Sequence, residues 1–434
     1  MILTLDLGTT RTKAVLWDGP EMVASGDATV ATTHPAPGRA EQDPAEWWGS
    51  VVAACGAVRT RSPEAYGAVA AVGFAAARQT FVPVTSEGTP LGTGIVWSDR
   101  RGSADGSVAG KVAWLRAHEP ARLAAARWLM APRDLVAWRL TGVAATDVTL
   151  ASAAGVDECL LPEVLAPDAV MGTVATEELG LRVGTPVVIG AGDRQCEVLA
   201  SGASPTRPMV SWGTTANVSI PLDRLPDPVP AALLATRGGR GGWLLEGGLA
   251  AAGSLVDWVA GLTGVPVARC VAGAAAAPPG ARGIVAVPWL GGARAPWWRP
   301  DTGAGFLGLG PGHTAGDLTR AVLEAVAADL ARCLEASGTT PGALMLAGGA
   351  ANQTWVEILT GVVGLPAVRR RCADTASVGA ALLVTGIDVD VINPVVGEVA
   401  PALAGYYRAW RPVSDAATAA ALTVPPTPGF TVSR

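Results

Sequence analysis

The stretch Ile2-Leu3-Thr4-Leu5-Asp6-Leu7-Gly8-Thr9-Thr10-Arg11-Thr12-Lys13-Ala14-Val15-Leu16-Trp17-Asp18 decides how the rest of the chain is read. Alternating apolar residues run into Asp6, a Gly-Thr-Thr turn follows, and a second apolar run from Ala14 to Trp17 completes a β-hairpin. A turn of this composition offers backbone N–H groups, hydroxyls and one ammonium group to an anion, and the Asp6 carboxylate suits a hydrated Mg²⁺. The same letters also serve a plain hairpin whose Asp and Thr side chains cap the turn. The chain beyond the hairpin has to separate the two.

At 434 residues the chain exceeds what one hydrophobic core usually serves, and with half its residues apolar it has material for two. A formal net charge of −5 and scattered arginines argue against a general nucleic-acid binder. Lys13 and Lys111 are the only lysines, which makes an ammonium group inside the opening hairpin conspicuous. The six cysteines show neither C-x-x-C pairing nor zinc spacing, as expected of reduced thiols in a cytoplasm. Apolar runs are broken by Gly or Asp before reaching spanning length, so no membrane is expected.

Taken in order, residues 23–33 read as a third strand. Asp43-Pro44 opens a helix with Asp at the N-cap and Pro at N1. Residues 69–74 form a buried strand leading to Arg78 and Gln79, and residues 95–101 another that ends in a polar cluster. Residues 121–140 are expected as one helix stopping at Thr141-Gly142. Three antiparallel strands followed by alternating helices and strands is the order of an actin-like (ribonuclease H-like) α/β domain. Pro186 to Gly190 is a buried strand opening into Gly192-Asp193-Arg194-Gln195.

The second half repeats the plan. Met209-Val-Ser-Trp-Gly213-Thr214-Thr215-Ala-Asn217 echoes the opening strand and turn, which points to a duplicated fold. A helix is expected over 249–262. A strand over 343–347 opens into Gly348-Gly349-Ala350-Ala351-Asn352 at a helix start, a place where N–H groups and the helix dipole face a ligand. The fold class expected is therefore α/β, two actin-like domains around a central nucleotide and substrate cleft. The boundaries are 1–203, 204–388 and a Pro-rich tail, 389–434, with Tyr406-Tyr407-Arg-Ala-Trp410 as its anchor.

At this point the sequence resembles the FGGY family of carbohydrate kinases. Ala304-Gly-Phe306-Leu-Gly308-Leu309, then seven residues, then Asp317-Leu-Thr-Arg-Ala321-Val-Leu-Glu324 fits that family's second signature, and the resemblance runs from Ile2 to about Leu383. It implies Mg²⁺ on Asp6, and ATP phosphates on Gly8, Thr9, Thr10, Lys13 and on Gly213, Thr214, Thr215. It implies the adenine and ribose side on Gly348, Gly349 and Asn352, and Asp193 as the catalytic base. Arg78, Gln79, Trp97, Asp99 and Gln195 become the substrate side, similar to the glycerol-kinase branch. Gln79 departs from that branch, where a Glu stands, and xylulose kinases carry a Met-His pair at 78–79.

The stretch between Asp99 and Lys111 is shorter than in relatives of either branch, as is that between Val156 and Pro186. The pocket is then more open, or is closed by Trp297-Trp298, unless those tryptophans only pack at an interface. The reading is an ATP-dependent kinase of a small sugar or polyol in the cytoplasm, with no nucleic-acid or membrane partner and a homodimer left open. Its alternative is a catalytically inactive actin-like nucleotide-binding regulatory protein. The shortened wall motivates that alternative, and the intact Asp6, Asp193 and phosphate turns oppose it.

Overall fold

In the computed structural model, which describes residues 1–102, 106–348 and 352–424, the opening stretch forms β1 (Ile2–Leu7) and β2 (Arg11–Asp18). They pair antiparallel with Asp6 opposite Lys13. β3 (Glu21–Thr29) continues the meander on β2, while β4 (Ala71–Ala76) lies parallel to β1. β5 (Val170–Thr173) forms the far edge, and β6 (Pro186–Gly192) lies parallel to β4. The sheet order is β5-β6-β4-β1-β2-β3.

The second sheet repeats this connectivity. β7 (Met209–Trp212), β8 (Ala216–Leu222) and β10 (Trp243–Leu249) form the meander, β11 (Leu344–Ala347) and β12 (Ala367–Arg370) add in parallel, and β9 (Leu234–Arg237) and β13 (Val395–Val399) occupy the edges. The order β9-β10-β8-β7-β11-β12-β13 bears out two actin-like domains.

Helices cover the sheets where the sequence gives them caps and an apolar stripe. α1 (Pro44–Arg61) starts at Asp43, whose side chain accepts from the Ala45 N–H, and buries Trp47, Trp48, Val51, Ala54 and Val58 against the first sheet. The expected helix over 121–140 is interrupted. Residues Trp128–Met130 pair antiparallel with Val82–Val84, and α2 (Pro132–Thr141) begins afresh because Pro132 cannot sit in a helix interior but fits its first turn. α3 (Val148–Ala154) and α4 (Asp193–Ser201) follow β-strand ends in the first domain.

In the second domain, α5 (Gly253–Thr263) starts later than expected because Leu249 still belongs to β10. α6 (Ala315–Ala336) is capped reciprocally by Thr314 and Asp317 and runs through the core. α7 (Gln353–Val363) and α8 (Thr375–Thr385) follow β11 and β12. The strand expected over 95–101 shrinks to Gly94–Ile95, paired with Glu41–Gln42.

Two departures concern the second half. Residues 389–434, expected as a tail, contain β13, which pairs with β12, and α9 (Ala404–Thr423), whose Tyr407 and Trp410 are buried against α6 and α7. α8 crosses over to pack on the first domain, with Val378, Ala381 and Leu382 against Val15 and Trp17, and Ala376, Ala380 and Leu383 against Ala75, Ala191 and Cys196. The approach is close enough that a Cβ on Gly379 would lie 2.1 Å from the Cys196 carbonyl oxygen. No single helix among the described residues is long and apolar enough to cross a membrane, and all six cysteines are free.

Candidate functional site

Three segments come together: the β1–β2 hairpin, the end of β6 with the start of α4, and the residue before α8. Because β1 and β2 pair in register, Asp6 and Lys13 project on one face at the sheet's end. Lys13 Nζ donates to Asp374 Oδ2 at 2.8 Å, tying the first hairpin to the residue that precedes α8. Asp6 Oδ1 is buried with no hydrogen-bond partner. Burial first, then the charges of Asp193, Asp374 and Glu197, push the Asp6 carboxyl up to about 8, against a smaller opposing pull from Lys13.

A buried, unpartnered carboxylate oxygen beside other acids is an expensive arrangement that a cation relieves. This donor set fits a hydrated Mg²⁺, which takes only one or two protein carboxylates. Among the described residues there is no cluster of three His, Cys, Asp or Glu that would cage a metal outright.

The turns themselves are open. The Gly8 N–H bonds the Arg11 carbonyl, and Thr10 is exposed. Thr9 is braced by Gln42 Nε2 on its carbonyl at 2.6 Å and by Trp97 Nε1 on its hydroxyl at 2.9 Å. In the second turn the Gly213 N–H bonds the Thr215 carbonyl, and the backbone N–H groups of Ala252 and Ser254, at the start of α5, bond the Thr214 carbonyl. Both threonine side chains there stay exposed. Gly348 adopts φ +71°, and Asn352 caps α7 by accepting from the Thr354 N–H, so its Oδ1 serves the helix. Gly349 lies outside the described residues.

Asp193 is the first residue of α4 and its side chain is 43% exposed. Arg78 Nε lies 3.7 Å from Asp193 Oδ1, while its Nη1 and Nη2 form a fork to Glu246 Oε1 and Oε2 at 2.7 and 2.6 Å. Glu246 sits buried on β10, so this part-buried pair bridges the domains. Burial alone would raise the Glu246 carboxyl, but Arg78 and the Thr236 hydroxyl outweigh it and hold it below the ordinary value. Gln195 is buried and donates to the Thr236 hydroxyl and the Arg237 carbonyl, leaving its Oε1 unpartnered.

The remaining substrate-side residues divide. Gln79 holds φ +62°, a left-handed backbone that a non-glycine residue adopts only under constraint. Lys111 Nζ supplies that constraint by donating to the carbonyls of Gln79, Val96 and Trp97. Trp97 is 37% exposed and lies beside Thr9.

Asp99 differs from Trp97. It is fully buried, and its oxygens accept from the Ala40 and Arg101 N–H groups and from the Arg101 guanidinium. Both of its oxygens are thus engaged within the first domain. Trp297 and Trp298 do not close the cleft. Trp297 packs on Trp289 with its Nε1 on Asp329, and Trp298 Nε1 donates to the Ala232 carbonyl, all within the second domain.

Sequence reasoning missed Glu246, Asp374 as a partner of Lys13, and Lys111. A signal existed for Glu246, a lone acid inside the apolar run Trp243–Leu249, since a charge in a buried strand calls for a partner.

Residues 1–106 and 102–156 match the model of the N-terminal domain of the FGGY family of carbohydrate kinases, and residues 209–385 match the model of its C-terminal domain. A glycerol kinase of Aromatoleum aromaticum is 30% identical over 94% of this chain and 93% of its own length. The chain belongs to the FGGY family of carbohydrate kinases. A xylulose kinase of Streptomyces rubiginosus is 29% identical over 89% of this chain and 88% of its own.

Among solved structures, ligand-bound xylulose kinase from Lactobacillus acidophilus superposes on this FGGY kinase with a TM-score of 0.88 at 21% identity, covering 97% and 98% of the two chains. Xylulose kinase from Rhodospirillum rubrum does so with a TM-score of 0.85 at 26% identity, covering 96% and 98%. The chain is thus a carbohydrate kinase, an ATP-dependent phosphotransferase acting on a small sugar or polyol.

Proposed function

We propose that this FGGY kinase moves the γ-phosphoryl group of ATP to one hydroxyl of a neutral polyol or ketose, with Asp193 as the general base. The observation that carries the reading is the Asp193 carboxylate, half-exposed at the start of α4, flanked by Arg78 and close enough to Asp6 to raise its pKa. Asp193 takes the proton of the acceptor hydroxyl as its oxygen bonds to γ-phosphorus and the bond from γ-phosphorus to the bridging oxygen breaks, releasing ADP.

Arg78 orients the acceptor while staying locked to Glu246, and Trp97 forms its exposed side. The turns at Gly8–Thr10 and Gly213–Thr215, with Lys13, receive the phosphates. Asp6 would hold Mg²⁺, which when bound neutralises charge on the phosphates. Gln79 in place of a carboxylate removes a charged acceptor, so glycerol does not transfer automatically from the glycerol-kinase relatives. The free cysteines support a cytoplasmic setting.

The test is ATP consumption against C3 to C7 polyols and ketoses, glycerol and D-xylulose included. Asp193→Ala should bind ATP as the wild type does and lose turnover by about 10²–10⁴-fold. Wild-type turnover in that variant would overturn the assignment. ATP binding with no turnover on any acceptor would favour the non-catalytic alternative.

A further inference from the structure

The strand leading into Asp193 is held by the sheet only in part: Ala191 and Gly192 pair with Ala75 and Ala76, while Ile189 and Gly190 do not pair with β4. Pairing of β6 with β4 breaks between Val188 and Ala191, where Gly190 takes φ +76° with its Cα so near β4 that a Cβ would lie 1.8 Å from the Phe74 carbonyl oxygen. The backbone polar groups at this break therefore need other partners. The N–H groups of Ile189 and Gly190 reach the Ala169 and Pro167 carbonyls. The Ile189 carbonyl accepts from Arg133 Nη1 at 2.5 Å, and the Gly192 N–H donates to Thr149 Oγ1 at 2.9 Å.

Behind these two anchors lies one buried chain of charges. The Thr149 hydroxyl donates to Asp147 Oδ1, which also accepts from the Thr149 N–H at 2.7 Å. Asp147 Oδ2 accepts from Arg133 Nη2 at 2.6 Å, and Arg133 Nε donates to Asp134 Oδ1 at 2.8 Å. Arg133, Asp147 and Thr149 are fully buried and Asp134 nearly so. With its proton committed to Asp147, the Thr149 oxygen has its lone pairs turned to one donor, the amide immediately before Asp193. Buried networks of this kind are rigid when every member is satisfied.

We propose that Thr149 is a positioning residue for the base, and that the Asp134–Arg133–Asp147 chain exists to fix its hydroxyl. The proposal rests on Asp193 being the base. A displacement of about 1 Å in a reacting group costs on the order of 10²-fold in rate, so loosening the Gly192 anchor should be felt in turnover and not in nucleotide affinity.

Thr149→Val keeps shape and removes the oxygen, Thr149→Ser restores it, and Thr149→Cys offers only a weak acceptor. Hydrogen exchange in the peptide holding 190–193 should speed up at least tenfold in the Val variant and stay near wild type in the Ser variant. Turnover, assayed with ATP on glycerol and D-xylulose, should fall about 30-fold in Val with the KM for ATP within twofold, lie between in Cys, and return to within threefold in Ser. Unchanged exchange in Val overturns the anchor, and unchanged kcat overturns its role. Equal losses in Val and Ser, or a rise in the KM for ATP matching the fall in kcat, would reduce Thr149 to a structural residue and overturn the proposal as well. A wild type that turns over neither acceptor excludes these two as substrates, and the exchange experiment then decides the anchor by itself.

Discussion

Asp6 is the residue that the folded chain holds most uncomfortably. Its carboxyl is pushed up to about 8 by burial and by Asp193, Asp374 and Glu197, whereas an unfolded aspartate titrates near about 3.9. Between those values the folded chain binds a proton that the unfolded chain has released, so stability falls as pH rises through that window. Asp6→Asn removes this dependence. Without divalent ions, thermal melts should show the wild type losing ground to the variant between about pH 5 and pH 8, and added Mg²⁺ should rescue only the wild type. Parallel melting curves at every pH would contradict this. Asp6, Lys13 and Asp193 could be singled out because each sits in a short contiguous pattern whose chemistry is local. Asp99 was singled out on the same ground. Its place beside Trp97 suggested the pocket, while Ala40, a distant partner, and the folded-back Arg101 consume it.

Among elements, α9 carries more than its sequence suggests. Pro412 lies inside it and its periodicity is weak, yet Tyr407 and Trp410, three residues apart, plant one face on α6 and α7. The Tyr407 hydroxyl donates to Glu324 Oε1 at 2.7 Å and accepts from Arg320 Nη2 at 2.8 Å, closing a buried triad. Tyr407→Phe should cost about 1–3 kcal/mol by leaving that charged pair short of a partner. Chemical denaturation reads this directly, and a change under about 0.5 kcal/mol would show the hydroxyl to be dispensable. The long signature over 304–324 was legible as a pattern, but its acids turn out to be structural: Asp317 caps α6 and Glu324 joins the triad. A pattern names a family without saying which of its letters touch the ligand.

At the scale of the whole molecule, the contacts that join the domains include Arg78 to Glu246, Lys13 to Asp374, and Gln195 to β9. Glu246→Gln keeps the shape and removes the charge that orients Arg78. Charge-assisted bonds are worth about 1.5–3 kcal/mol, so kcat/KM for the acceptor should fall about 10–100-fold at saturating ATP, with ATP binding unchanged. Wild-type kcat/KM would show that Arg78 needs no fork. Such contacts were beyond the sequence because they join residues 42 to 361 positions apart with no local pattern to pair them. The duplicated strand order was within reach because both Gly-Thr-Thr turns announce it.

The placement of α8 has a consequence for the order in which the polypeptide is made. The face of the first sheet that carries Val15, Trp17, Ala75 and Ala191 is covered by residues 375–385. A ribosome that has finished the first sheet must still add nearly two hundred residues before that face finds its cover. The nascent chain therefore emerges with an apolar surface waiting, and the N-terminal half expressed alone would keep it bare.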